Sequence, residues 1–232
     1  MSGEAPAISP PSPTLLFDLD GTIVDSQPGI LASCRVALQT LGHTPDPSLD
    51  LTPLIGPPIE EGMSWLLARH GDDRVVEAVT AYRADYAGRG LFDTLAYAGM
   101  AEALAAMRTA GAQLIVATSK RTRFARTMLE HLGLADTFAA IHGSEEGGRF
   151  DHKTPLIGHI VERHGLDRHC CLMIGDRRFD IEGAHANGVR ALGVLWGYGT
   201  QQELESAGAD GLVPEPAALP AAVARGWEDT ER

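Results

Sequence analysis

Cysteine is scarce. Cys34, Cys170 and Cys171 are the three in 232 residues, an odd number with neither a CxxC pair nor the spacing of a zinc site. That excludes a disulfide framework and a thiolate metal centre, and it fits a chain at work in a reducing cytoplasm. Cys170 and Cys171 read as small apolar residues of a buried strand. Long apolar runs are missing as well: no stretch approaches the ~18–20 apolar residues of a membrane span, so no membrane partner is expected. Apolar residues still make up 44% of the chain, the usual share for a soluble globular protein. Basic residues are outnumbered, 19 Lys and Arg against 31 Asp and Glu, for a formal net charge of -12. Such a chain repels nucleic acid polymers, whose binding draws on Lys and Arg neutralising phosphates. Any phosphate bound here must be small and locally paired. Residues 1–13 carry no basic start and no apolar segment, so they are expected as a disordered leader and not as a signal peptide. Residues 225–232 are expected as a polar tail.

No internal repeat is visible between leader and tail. Short apolar runs bounded by turn residues recur at 15–17, 114–117, 138–141, 171–174 and 191–195, and they predict strands buried on both faces. Between them, the spacing of Met100, Ala103, Leu104 and Met107, of Met128, Leu129 and Leu132, and of Leu156, Ile157, Ile160 and Val161 predicts helices. Alternating strand and helix imply an α/β fold, a parallel sheet with helices on both sides. The alternation breaks from 26 to 96. There the stripe Ile30, Cys34, Ala37, Leu38 and Leu41 and the segments 59–70 and 75–86 are all helical, with a Pro- and Gly-bearing loop at 51–58. An insertion directly after strand one sits over that strand's carboxyl end, where open α/β sheets bind ligands. Residues 26–96 are therefore expected as a helical cap on a core made of 14–25 and 97–224.

The first apolar run ends in Phe17-Asp18-Leu19-Asp20-Gly21-Thr22. Side chains two apart on an extended chain face the same way, and two close carboxylates raise a pKa or call for a cation. Alone, the hexapeptide has a second reading, less favoured, as an acidic turn after a strand. Three further segments carry polar groups at strand or helix boundaries: Thr118-Ser119-Lys120, Lys153, and Gly175-Asp176-Arg177-Arg178-Phe179-Asp180. Each has an ordinary reading: a helix cap for Thr118 and Ser119, a solvated charge for Lys153, a turn and a helix-dipole partner for Asp176 and Asp180. The predicted topology nevertheless gathers all of them at one edge of the sheet.

In this order, FDLDGT, the TSK at Thr118, Lys153 and GDRRFD resemble the four motifs of the haloacid dehalogenase superfamily, over roughly 14–222. The stretches MIGDRRFDIEGAHANG and GVLWGYGTQQEL resemble its phosphoglycolate phosphatase and 5′-nucleotidase-like branch. The resemblance implies a Rossmann-like core with an all-helical cap of the C1 type. It also implies a Mg²⁺-dependent phosphomonoester hydrolase acting on a small phosphorylated metabolite. Asp18 is then the nucleophile, forming an acyl phosphate, and a metal ligand. Asp20 is acid and then base, its carbonyl a second ligand, while Asp176 completes the oxygen shell and Asp180 stands behind it. Thr118 and the Ser119 amide are expected on phosphoryl oxygens, helped by the start of the following helix. The Gly21 and Thr22 amides are expected as further donors, and Lys120 as a phosphate neighbour. Lys153 is expected to pair with both the phosphoryl group and Asp18, so that Lys153→Ala costs turnover far more than stability.

A sugar phosphomutase would keep all four motifs and differ in re-phosphorylating from a held intermediate. A haloalkanoate dehalogenase needs neither Asp20 nor Asp176, and a silent phosphate-binding module needs no filled catalytic positions. Selectivity lies in the cap, whose loops carry no readable code. A monomer or homodimer is expected. Arg178 is expected to face solvent, whereas Arg149, Arg177, the nine histidines and the turn Trp196-Gly197-Tyr198-Gly199 receive no role.

Overall fold

The structure, a computed structural model, describes residues 13–228; residues 1–12 of the leader and 229–232 of the tail lie outside the described residues. Along the chain come β1 (Thr14–Phe17), β2 (Val24–Asp25), α1 (Gln27–Thr40), α2 (Ile59–Ala68), α3 (Val75–Gly88), β3 (Leu95–Ala96), α4 (Met100–Thr109), β4 (Gln113–Arg121), α5 (Thr122–His131), β5 (Ala140–Ser144), α6 (Lys153–His164), β6 (Cys171–Gly175), α7 (Arg178–His185), β7 (Arg190–Val194), α8 (Gln201–Ser206), β8 (Gly211–Val213) and α9 (Leu219–Glu228). None of these helices is long and apolar enough to cross a membrane.

Six strands form one parallel sheet in the order β5-β4-β1-β6-β7-β8. Leu15 pairs with Leu114 and Leu172, and Phe17 with Val116 and Ile174. Alternate residues of each strand point to opposite faces. Leu15, Phe17, Leu114, Val116, Leu172 and Ile174 accordingly pack on one side with α4, α5 and α9. Leu16, Ile115, Ala117, Cys171 and Met173 pack on the other with α6, α7 and α8. Burial on both faces is the reason these strands read as unbroken apolar runs. The chain leaves β1 for β4 and β5 on one side and returns to β6, β7 and β8 on the other. Strand order therefore reverses beside β1, which opens a crevice at the carboxyl ends of β1 and β6.

Several elements differ from the sequence reading. β4 continues four residues past Ala117, through the polar Thr118-Ser119-Lys120-Arg121, with a register shift against β5. α5 thus begins at Thr122 with Arg121 as its N-cap, and Thr118 and Ser119 do not cap it. The third run folds as Ala140–Ser144 and not 138–141. β8 spans three residues and joins the sheet edge unpredicted. α9 runs to Glu228, four residues into the stretch expected as a polar tail.

The helices α1, α2 and α3 rise between β2 and β3, which pair antiparallel through Val24 with Ala96 and Asp25 with Leu95. Their apolar stripes, including Ile30, Cys34 and Leu38 of α1, Met63 and Leu66 of α2, and Tyr82 and Tyr86 of α3, belong to the same buried cluster as one face of the sheet. Where α1 meets the short 3₁₀ turn Gly90–Phe92, two glycines allow the backbones to touch: a Cβ on Gly29 would lie 1.9 Å from the Gly90 carbonyl oxygen.

On the opposite flank, His142 of β5 and His164 of α6 meet Nε2 to Nε2 at 2.8 Å, a contact that one ring must donate and the other accept. Burial, then His164, His159 and Arg163, push His142 down to about 4 from its ordinary 6.5.

Gly29→Ala should cost about 1–3 kcal/mol by overpacking, read as a lower urea midpoint at unchanged slope. Between about pH 6.5 and 4 an unfolded His142 binds a proton that the folded one does not, so its contribution to stability is lost as pH falls. His142→Gln should therefore lose less stability than the parent between pH 7 and pH 5 in urea titrations; equal losses would refute this assignment.

Candidate active site

The chain continues from β1 into Asp18, whose N–H still donates to the Ile174 carbonyl at 2.9 Å and so keeps in step with β6. β6 delivers Asp176, and the first turn of α7 delivers Asp180. Carboxylate oxygens of Asp18, Asp176 and Asp180, all buried, lie within 4.8 Å of one another. Glycines make this crowding possible. A Cβ on Gly175 would fall 2.2 Å from Asp180 Cγ, one on Gly21 (φ +84°) 2.2 Å from Asp176 Oδ2, and one on Gly197 2.3 Å from Asp176 Cβ. Asp180 is further fixed by the Arg177 N–H, which donates to Oδ2 at 3.1 Å.

Lys153, the first residue of α6, supplies the balancing charge from a side chain 4% exposed. Its Nζ lies 2.7 Å from Asp18 Oδ1 and 2.6 Å from Asp180 Oδ1, and donates to the Ala117 carbonyl at 2.8 Å. The ammonium thus lies against two carboxylates and one carbonyl. Burial alone would lower the Lys153 pKa, but Asp18 and Asp180 overcome it and hold the ammonium above its usual value. Burial raises Asp18 to about 7 against the pull of Lys153, with Asp180 adding to the rise. Asp176 stands well above the usual carboxylate range, by burial first and then by Asp18 and Asp180.

Three buried carboxylates facing one ammonium are short of positive charge. An all-oxygen donor set of this kind fits a hard divalent cation such as Mg²⁺. Among the described residues Asp18, Asp176 and Asp180 form a group close enough to hold one, and Asp180, expected behind the ligands, lies within that group.

Asp20 lies apart from this cluster. Its Oδ1 accepts from Ser26 Oγ at 2.5 Å and from Lys120 Nζ at 2.5 Å. Lys120 also donates to the Tyr86 hydroxyl at 2.6 Å. It is therefore bound to protein groups, while lining the same cleft as Asp18 and Thr118. The Gly21 and Thr22 amides are not available as phosphoryl donors: they donate to the Val24 carbonyl at 2.8 Å and the Leu19 carbonyl at 3.3 Å, closing the turn after β1. Thr22 contributes instead through Oγ1, which donates to Asp176 Oδ1 at 3.4 Å. Buried Thr118 accepts the Lys120 N–H on Oγ1 at 3.2 Å.

A cleft partly open to solvent brings Asp18, Asp20, Thr118 and Ser119 under the segment 54–60 and α3. Two features that received no role in the sequence reading hold its walls. Tyr198 donates its N–H to Asp176 Oδ2 at 2.8 Å. Its hydroxyl accepts the N–H groups of Ser26 and Gln27 at 2.9 and 3.0 Å and donates to Asp25 Oδ1 at 3.0 Å. Trp196 Nε1 donates to the Thr22 carbonyl at 2.9 Å. Arg177 donates from Nε to Glu203 at 2.9 Å and from its terminal nitrogen to the Ile55 carbonyl. The available signals were two glycines interleaved with aromatics just after a strand, and an arginine adjoining Asp176. Arg178 and Arg149 are exposed, beside Glu182 at 3.4 Å and Glu145 at 3.6 Å.

A family profile described as haloacid dehalogenase-like hydrolase matches residues 15–194. Among curated proteins, a 5′-nucleotidase of Pseudomonas aeruginosa is 40% identical over 196 residues, 84% of this chain and 87% of that one. The tyrosine-protein kinase PtkA of Mycobacterium tuberculosis is 39% identical over 198 residues, 85% of this chain but 65% of that protein's length. A phosphoglycolate phosphatase of Neisseria gonorrhoeae is 33% identical over 191 residues, 79% of this chain and 80% of that one. The solved structure of a predicted phosphatase from Clostridium acetobutylicum superposes with a TM-score of 0.85 at 32% identity, covering 92% of this chain and 99% of the other. With motifs, sheet order and acidic cluster in agreement with these matches, the chain belongs to the haloacid dehalogenase-like hydrolases.

Proposed function

We propose that this chain is a Mg²⁺-dependent phosphomonoester hydrolase that carries the phosphoryl group on Asp18 and acts on a small metabolite of the phosphoglycolate or 5′-nucleotide type. One observation carries the reading. Separate segments bring Asp18, Asp176 and Asp180 within 4.8 Å of each other, and Lys153 grips Asp18 at 2.7 Å. Relatives named as a 5′-nucleotidase and a phosphoglycolate phosphatase support the substrate class.

A phosphate ester repels an anionic nucleophile, so charge must be neutralised before attack. Lys153 holds Asp18 by Oδ1 and leaves Oδ2 to bond phosphorus. As that P–O bond forms, the ester P–O bond breaks and Asp20 gives a proton to the departing oxygen. Asp20 then takes a proton from the water that attacks phosphorus, and the bond to Asp18 breaks to release phosphate. The Thr118 hydroxyl and Ser119 amide, at the cleft wall, donate to phosphoryl oxygens. Mg²⁺, held by Asp18 and Asp176 with Asp180 beside them, would supply charge neutralisation at those oxygens. Residues 26–96 serve as the cap: closing the cleft excludes water during attack.

Asp18→Asn should cut phosphate release from 2-phosphoglycolate and nucleoside 5′-monophosphates by at least ~10³-fold, and EDTA should abolish it until Mg²⁺ is restored. Undiminished turnover in either case would sink the scheme, and an isomeric phosphate in place of free phosphate would point to a phosphomutase. Lys153→Met should lose about 10²–10³-fold in kcat. Its unfolding free energy should fall by less than the ~3–5 kcal/mol of a stranded buried charge, because Asp18, already held near 7, takes up a proton when the ammonium is gone.

A further inference from the structure

Lys120 and Lys153 are the two lysines of the whole chain, and the proposed mechanism gives a task to one of them alone. The Lys120 side chain is 6% exposed. Its Nζ donates to Asp20 Oδ1 at 2.5 Å and to the Tyr86 hydroxyl at 2.6 Å, and sits 4.9 Å from the centre of the Tyr86 ring. Moving this ammonium onto a phosphoryl group would strip the charged partner from Asp20 and the donor from Tyr86.

The second donor to Asp20, Ser26 Oγ, falls on the same oxygen. Among the described residues nothing bonds Oδ2, and Asp20 lines the cleft together with Asp18. Tyr86 belongs to α3 of the helical insertion, where its buried ring stacks on Tyr82 at 5.3 Å and meets the edge of Phe124 of α5 at 5.7 Å. The ammonium therefore sits where insertion and core meet, with its backbone N–H tied to Thr118 Oγ1.

From this geometry we infer that Lys120 is a positioning residue: it clamps Asp20 by Oδ1, presents Oδ2 for proton transfer, and links that carboxylate to the insertion through Tyr86. The inference rests on the hydrolase reading above and deepens it. It assigns the proton-carrying oxygen and a role that binding of phosphate by Lys120 would not produce.

The two roles separate by leaving group. An alkyl alcohol must receive a proton as its P–O bond breaks, whereas p-nitrophenolate leaves without one. The quantity kcat/KM reports steps only through the first P–O cleavage, so water attack in the second half does not obscure it. For Lys120→Met, the ratio of kcat/KM for ethyl phosphate to that for p-nitrophenyl phosphate should fall by about 10²-fold. Tyr86→Phe, which keeps the buried ring, should move the ratio the same way by about tenfold, and it serves if Lys120→Met does not fold. A parallel fall for both esters would overturn the inference in favour of phosphate binding by Lys120, and an undiminished kcat/KM for both would overturn it outright. If the parent protein hydrolyses neither ester, the hydrolase reading itself fails, an outcome distinct from both.

Discussion

Carboxylates buried side by side repel one another and lose their hydration, and a fold holds them together only by supplying positive charge and a backbone that cannot relax. Here Asp18, Asp176 and Asp180 share one resident ammonium, that of Lys153. Burial first, and then the neighbouring carboxylates, raise the pKa values of Asp18 and Asp176. The sheet resists the repulsion. β1 and β6 are neighbours, bonded through to the Asp18 N–H, and neither strand can withdraw without breaking the ladder. Glycines at 21, 175 and 197 then remove the side chains that would otherwise hold the acids apart. The same residual charge makes the cluster fit to receive a divalent cation.

That constraint extends into the helical insertion, because residues that hold the acids also hold the insertion. Arg177 follows Asp176 directly and reaches the Ile55 carbonyl. Tyr198 caps Asp176 with its N–H and the start of α1 with its hydroxyl. Lys120 joins Asp20 to Tyr86. The apolar cluster is continuous across the same boundary. A movement of α1 or α3 relative to the sheet would thus be felt at Asp20 and Asp176, and an insertion that closes on substrate would set the acids in the same motion.

The strands at 15–17, 114–117 and 171–174 were legible because burial on both faces leaves them no polar residues to interrupt the run. β2, β3 and β8, two or three residues each, carry no period to detect. The far half of β4 was hidden because Thr118-Ser119-Lys120-Arg121 looks like a cap and a helix start. Asp18 and Asp20, expected to converge, do line one cleft, but the chain is not extended through both. β1 ends at Phe17, and the amides of Thr22, Ile23 and Val24 all fold back onto the Leu19 carbonyl. Asp20 is held there by Lys120 and Ser26, and Asp180, brought by the first turn of α7, joins Asp18 and Asp176. Contacts such as Lys120 with Asp20, a hundred residues apart, leave no local trace in the sequence.

The chain uses arginine almost everywhere it needs a cation, yet the two positions touching Asp18 and Asp20 are lysine. The difference in shape explains the choice. A guanidinium is a planar fork that engages both oxygens of a carboxylate at once. An ammonium is a point donor, and each of these two falls on a single Oδ1. Clamped at one oxygen, either carboxylate would keep the other for the chemistry proposed above: attack on phosphorus for Asp18, proton exchange with the departing oxygen for Asp20. Arginine at either place would satisfy the charge and consume the reactive atom. In the proposed mechanism the pair of lysines therefore does more than neutralise, since it decides which oxygen of each acid is left free to react.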